Sequence, residues 1–218
     1  MSARIAPLPD AARTPRHEDV ALRLESAEFG MWIFLATEIL FFGGLLFAYA
    51  VARGQWPAGF AIAGRHTDVL IGTLNTALLL CSSCAVAVAV AAEEHGAHRW
   101  VPRLLWITAA LGVAFLALKG VEYLHDWRDG MVPGARFALA SVPGAQLFWL
   151  LYFVTTALHA VHLTIGIVVI AAFAWGARRP VGWAHAPRLQ VAALYWHFVD
   201  AVWIFLYPLL YLVGRAPT

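Results

Sequence analysis

Ionisable side chains persist inside runs of the chain that are otherwise apolar: Glu38, Lys119 with Glu122, His159 with His162, and His197 with Asp200. In hydrocarbon each costs a few kcal/mol, so such groups face a protein interior and have partners or tasks. The three pairs share an i, i+3 spacing, which sets both members on one face of a helix. Tyr152, Thr155 and Thr156 extend the stripe that carries the two histidines, Tyr207 extends the last one, and Asn75 and Ser82 lie seven apart on another run. The pattern predicts a polar seam between packed helices. Two chemistries fit it. Glu122, His159, His162, His197 and Asp200 are of the right types to hold iron or zinc, although Glu122 sits nearer the end of its run than the histidines do. Alternatively the imidazoles bond helix to helix, at about 0.6 and up to about 2 kcal/mol per bond.

Glu38 stands apart, with no charged neighbour within one turn. It lies nine residues beyond Phe29, about 14 Å along a helix and near mid-membrane. Desolvation disfavours its ionised form there unless another helix brings a partner. Two roles stay open for it, an interhelical hydrogen-bond donor or a group that influences proton entry in a larger complex.

The elements that must position these residues follow from composition. Of 218 residues 61% are hydrophobic and 13% charged, against roughly 25% charged in soluble domains. A bilayer crossing needs about 20 apolar residues. Five runs qualify, 29–52, 69–92, 101–124, 147–175 and 189–213, and residues 29–213 form one domain between an amino-terminal tail, 1–28, and a short tail, 214–218. In lipid every backbone amide must be paired within its own segment, so the expected fold is all-α, an integral membrane bundle of five transmembrane helices. Trp100, Trp149, Trp175 and Trp183 lie near the proposed boundaries, where the headgroup layer favours them. The stretch from His125 to Gln146, with Gly130, Pro133, Gly134, Pro143 and Gly144, reads as a connection without a long helix.

No apolar core of signal-peptide type occurs in the first 28 residues. Arg4, Arg13, Arg16, Arg23, Arg99, Arg103, Arg178, Arg179 and Arg188 fall on one side of the five crossings, and six basic residues, Lys119 included, on the other. The positive-inside rule therefore predicts a cytoplasmic amino terminus and a periplasmic carboxyl terminus. Cys81 and Cys84 form C-x-x-C within the second run, followed by Ala85 rather than histidine, which disfavours covalent haem attachment. They read as small thiols packing in a helix.

Five stretches resemble one family. YWHFVDAVWIFLYPLLY (195–211) is the most specific, and GMWIFLATEILFFGGLLFAYA (30–50), LNTALLLCSS (74–83), KGVEY (119–123) and LHAVHLTIG (158–166) accompany it in the family's order. Together they resemble subunit III of cytochrome c oxidase and related haem-copper oxidases, in a short five-helix bacterial form without the first two of the family's seven helices. The resemblance implies a non-catalytic accessory subunit of an aa3-type cytochrome c oxidase, an oxygen-reducing and proton-translocating complex of aerobic respiration in a bacterial inner membrane. It implies that subunit I is the main partner, that phospholipid is bound, and that haem a and copper reside in partner subunits with no cofactor or metal in this chain. Glu38 corresponds to the family's buried helix carboxylate, near the side where protons enter subunit I. Glu122, His159, His162, His197 and Asp200 match the family's polar positions inside the helix bundle, none of them catalytic, and with Asn75 and Lys119 from the spacing above they make up the expected intramembrane polar network. A quinol oxidase subunit III, or the related accessory protein of nitric oxide reductases, is the near alternative. A free-standing membrane haem or metal protein using His159, His162 and His197, or a small transporter coupled through Glu38, are the readings from other classes.

Overall fold

The computed structural model describes residues 17–177, 186–212, 214 and 215. Arg4, Arg13, Arg16, Arg178, Arg179 and Trp183, used above for topology and boundaries, lie outside the described residues. Among those described the fold is all-α, with six helices: α1 (His17–Gln55), α2 (Pro57–Gly64), α3 (Val69–Glu94), α4 (Val101–Arg128), α5 (Ala145–Gly176) and α6 (Ala186–Tyr211). Five are long and apolar enough to cross a membrane, namely Glu25–Gln55, Val69–Glu94, Val101–Arg128, Ala145–Gly176 and Arg188–Tyr211.

Local sequence explains the ends. The Asp68 side chain caps α3 by accepting from the Ile71 amide at 3.1 Å, meeting one of the donors that a helix start leaves orphaned. Proline occupies the first turn of α2 and of α4, where its missing N–H costs nothing. Three differences from the sequence reading matter. α1 is already helical at His17 rather than beginning at Phe29, so the helix covers the last twelve positions of the expected tail. α4 runs on to Arg128, one turn past Leu124, and brings Asp126 into the helix. The short helix α2 fills a segment assigned to no element.

α3, α4, α5 and α6 form the packed core, with α1 leaning on α5 and α6 from outside. One end of the bundle, here called the junction end, gathers α2, the 129–144 connection and the last residues of α6. There Phe60 of α2 packs edge-on against Tyr49 of α1 and Phe148 of α5, at 5.3 and 5.5 Å between ring centroids. Arg215 closes the same end by donating to the carbonyls of Arg65 at 2.8 Å and Thr67 at 2.6 Å. The boundary tryptophans divide. Trp100 and Trp175 are exposed as expected, but Trp149 is wholly buried, because α5 begins two residues before the predicted start and turns that indole into the aromatic layer under α2.

Candidate functional site

The polar residues resolve into separate sites instead of one continuous seam. The first lies between α1 and α5. His162 Nε2 meets Glu38 Oε2 at 3.0 Å, while His162 Nδ1 faces the Leu158 carbonyl at 2.8 Å. A carbonyl only accepts, so Nδ1 carries a hydrogen, and the contact with Glu38 then holds one further proton, on either the imidazole or the carboxyl. The partner that the lone Glu38 required thus comes from another helix. Phe42 packs edge-on to the imidazole at 5.2 Å, and Tyr195 of α6 donates to the His162 carbonyl at 2.9 Å. The pair opens on an otherwise apolar groove of about 480 Å³, lined by Met31, Phe34, Ile165, Val169 and Tyr195.

The second site is buried near the junction end, where α4, α5 and α6 meet. Lys119 Nζ donates to Glu122 Oε2 at 3.0 Å, to the Tyr152 hydroxyl at 2.8 Å and to the Tyr211 hydroxyl at 2.6 Å. Tyr152 donates to Glu122 Oε1 at 2.7 Å and lies 3.2 Å from Asp126 Oδ2, and Tyr211 donates to Glu122 Oε2 at 3.0 Å. The ammonium also sits 4.3 Å from the centre of the Tyr152 ring, within cation–π range. Its three hydrogens are therefore all used, and the aromatic walls replace the hydration it has lost. Removing one partner of such a pair leaves an uncompensated charge, at about 3–5 kcal/mol.

The remaining residues are placed differently. His197 Nδ1 shares a hydrogen bond of 2.6 Å with Ser83 of α3. Asp200 is buried one turn farther along α6, with neither carboxylate oxygen hydrogen-bonded, and Ser83 beside it is engaged by His197. Asn75 is buried on α3 with its amide unpaired. His159 is enclosed by the rings of Phe115 and Trp203, at 5.6 and 5.1 Å, and neither ring nitrogen has a partner. The three histidines thus turn to three different environments. Among the described residues no three His, Cys, Asp or Glu side chains converge as a metal site requires. Cys81 and Cys84 are free thiols, exposed on α3.

These positions fall within a family match that spans nearly the whole chain, since the model of cytochrome c oxidase subunit III matches residues 16–215. The chain belongs to that family. It is similar to cytochrome c oxidase subunit 3 of Thermostichus vulcanus, with 35% identity over 85% of this chain and 87% of that one. It is also similar to cytochrome c oxidase subunit 3 of Synechocystis sp., at 32% over 85% and 75% of the two chains. Quinol oxidase subunit 3 of Bacillus spizizenii likewise matches at 32%, over 85% and 86%.

For this subunit III chain, sequence reasoning overlooked two members of the buried cluster, Asp126 and Tyr211. The apolar run stops at Leu124, which places Asp126 in the connection when the sequence is read alone. The signal was present, since 119, 122 and 126 follow the i, i+3, i+7 spacing of one helical face. Tyr211 ends the YPLLY stretch, whereas the sequence pattern points to Tyr207, which bonds instead to Thr73 of α3 at 2.7 Å. Tyr49 is a further omission. Its hydroxyl donates to the Leu209 carbonyl, tying α1 to α6.

Proposed function

We propose that this chain is the accessory third subunit of an aa3-type cytochrome c oxidase in a bacterial inner membrane, with its amino terminus cytoplasmic. Membership of the subunit III family places it in a haem-copper oxidase complex. The family match over residues 16–215 is the observation that carries the reading. The electron donor is cytochrome c in this proposal. The relatives include both cytochrome c and quinol oxidase subunits, and the one with the highest identity of those named above is of the cytochrome c type.

Within the complex the chain supports subunit I, binds phospholipid and sustains proton uptake, while haem a and copper sit in the partner subunits. The apolar groove beside Glu38 has the shape and chemistry for an acyl chain, and the proton shared between Glu38 and His162 is the kind of group that could influence delivery to a neighbour. His159, His162 and His197 turn into three separate environments and present no shared ligand set, which supports the reading that the redox centres lie in the partner subunits.

The test is recovery of the tagged chain after mild detergent extraction. The expected result is stoichiometric co-purification with a large polytopic subunit carrying haem a, in a complex that oxidises cytochrome c. A chain isolated alone with its own stoichiometric iron or copper would overturn the proposal, and a complex that oxidises only quinol would overturn the choice of donor.

A further inference from the structure

We propose that the buried cluster at the junction end is a proton-binding site in which Asp126 is held as the carboxylic acid. This stands on the cluster alone and does not depend on the reading of the chain as an oxidase subunit. The argument is an account of hydrogens. Lys119 has three to give and spends them on Glu122 Oε2, Tyr152 and Tyr211. Tyr211 has one and gives it to Glu122 Oε2. Tyr152 has one, yet two carboxylate oxygens lie within its reach, Glu122 Oε1 at 2.7 Å and Asp126 Oδ2 at 3.2 Å. One hydrogen cannot serve both.

With both carboxylates ionised, an oxygen of one is left facing the Tyr152 oxygen without a proton between them. The cluster then also holds two negative charges against one positive, at relative exposures of only 3% for Lys119, 1% for Glu122 and 6% for Asp126. A single added proton on Asp126 Oδ2 removes both faults. Asp126 then donates to the Tyr152 oxygen, which also accepts from Lys119 and so fills its two lone pairs. Tyr152 donates to Glu122 Oε1, and Lys119 and Glu122 remain as one ion pair of zero net charge. Among the described residues no second cation pairs with Asp126: His125 and Arg128, its basic neighbours on α4, are both exposed. Tyr123 of α4 bonds to Thr156 of α5 at 2.6 Å, Tyr207 of α6 is held by Thr73 of α3, Asp129 follows at the exposed cap of α4, and His159 lies two turns deeper on α5. Asp126 is the most exposed member, since Tyr152 and Tyr211 are fully buried, so the proton exchanges with the junction end through Asp126.

Infrared spectra of the purified assembly containing the full chain, with the aspartate side-chain carboxyl carbon isotopically labelled, test this directly. At neutral pH the difference between wild type and Asp126→Asn is expected to contain the label-sensitive C=O stretch of an un-ionised acid, shifted down in D2O and retained in Asp200→Asn. Label-sensitive carboxylate stretches in that difference, in place of the acid band, would overturn the proposal. The asparagine amide can donate to Tyr152 where the acid did, so assembly should survive. Were it lost, Tyr152→Phe removes the oxygen that accepts the Asp126 proton, and the labelled acid band should move to higher frequency. An unmoved band there would equally count against the site.

Discussion

At the scale of single residues, the Glu38 and His162 contact decides what the buried carboxylate can be. Glu38→Gln keeps a side chain that can donate to and accept from the imidazole, so assembly should persist and the complex should lose no more than about 1 kcal/mol, near the worth of one interhelical bond. Glu38→Lys sets a fixed cation beside the imidazole near mid-membrane, and the chain should fail to accumulate in the complex. Quantifying the chain in purified membranes checks both, and equal recovery of the two variants would show that the pairing carries no weight. The spacing of the polar pairs was legible, but their partners were not. His159 and His162 share a face by the i, i+3 rule, yet three residues leave them about 60° apart around the helix. That is enough for one to enter the aromatic core beside Trp203 while the other reaches α1.

At the scale of elements, the five long helices could be read from apolar length because hydrocarbon enforces internal pairing of the backbone. α2 could not. At eight residues it is too short to be stable alone, and it exists because Phe60 and Ala63 are buried by α1 and α5. Its docking depends on two glycines. A Cβ on Gly59 would collide with the Pro143 carbonyl oxygen, and Gly144 combines φ +84° with close approach to Trp56. None of the three atoms nearest that Cβ is a side-chain tip that could swing away, as all are backbone. Gly59→Val should therefore destabilise the complex by about 1–3 kcal/mol, the usual cost of overpacking. The thermal midpoint of the purified assembly is the measurement. A midpoint no lower than that of wild type would mean that α2 is not seated against the 129–144 connection.

At the scale of the whole molecule, the single crossing by α4 sets the α3–α4 turn and the α4–α5 connection on opposite sides of the membrane. The helices alone do not say which side is which. The sign comes from charge. Arg99 and Arg103 flank the α3–α4 turn, both within cation–π distance of the exposed Trp100, at 5.6 and 5.2 Å. On the other side lie Arg53, Arg65, Lys119, Arg128, Arg136 and Arg215, six against the nine on the side of the turn. The positive-inside bias of the whole sequence therefore favours a cytoplasmic turn at 95–100 and a periplasmic connection at 129–144. Single cysteines at exposed positions test it, His98→Cys at the turn and Ala135→Cys in the connection, with Cys81 and Cys84 replaced by serine. In intact spheroplasts a membrane-impermeant maleimide should label Ala135→Cys fully, and His98→Cys only after lysis. The reverse pattern would invert the topology and move Glu38 and His162 with it. Glu38 lies 17 residues before the end of α1 at the junction end, about 25 Å along the helix. The start of the apolar span at Glu25 is 13 residues away, about 20 Å, so the pair sits near mid-membrane and somewhat nearer the surface of the 95–100 turn, the side that the predicted orientation makes cytoplasmic.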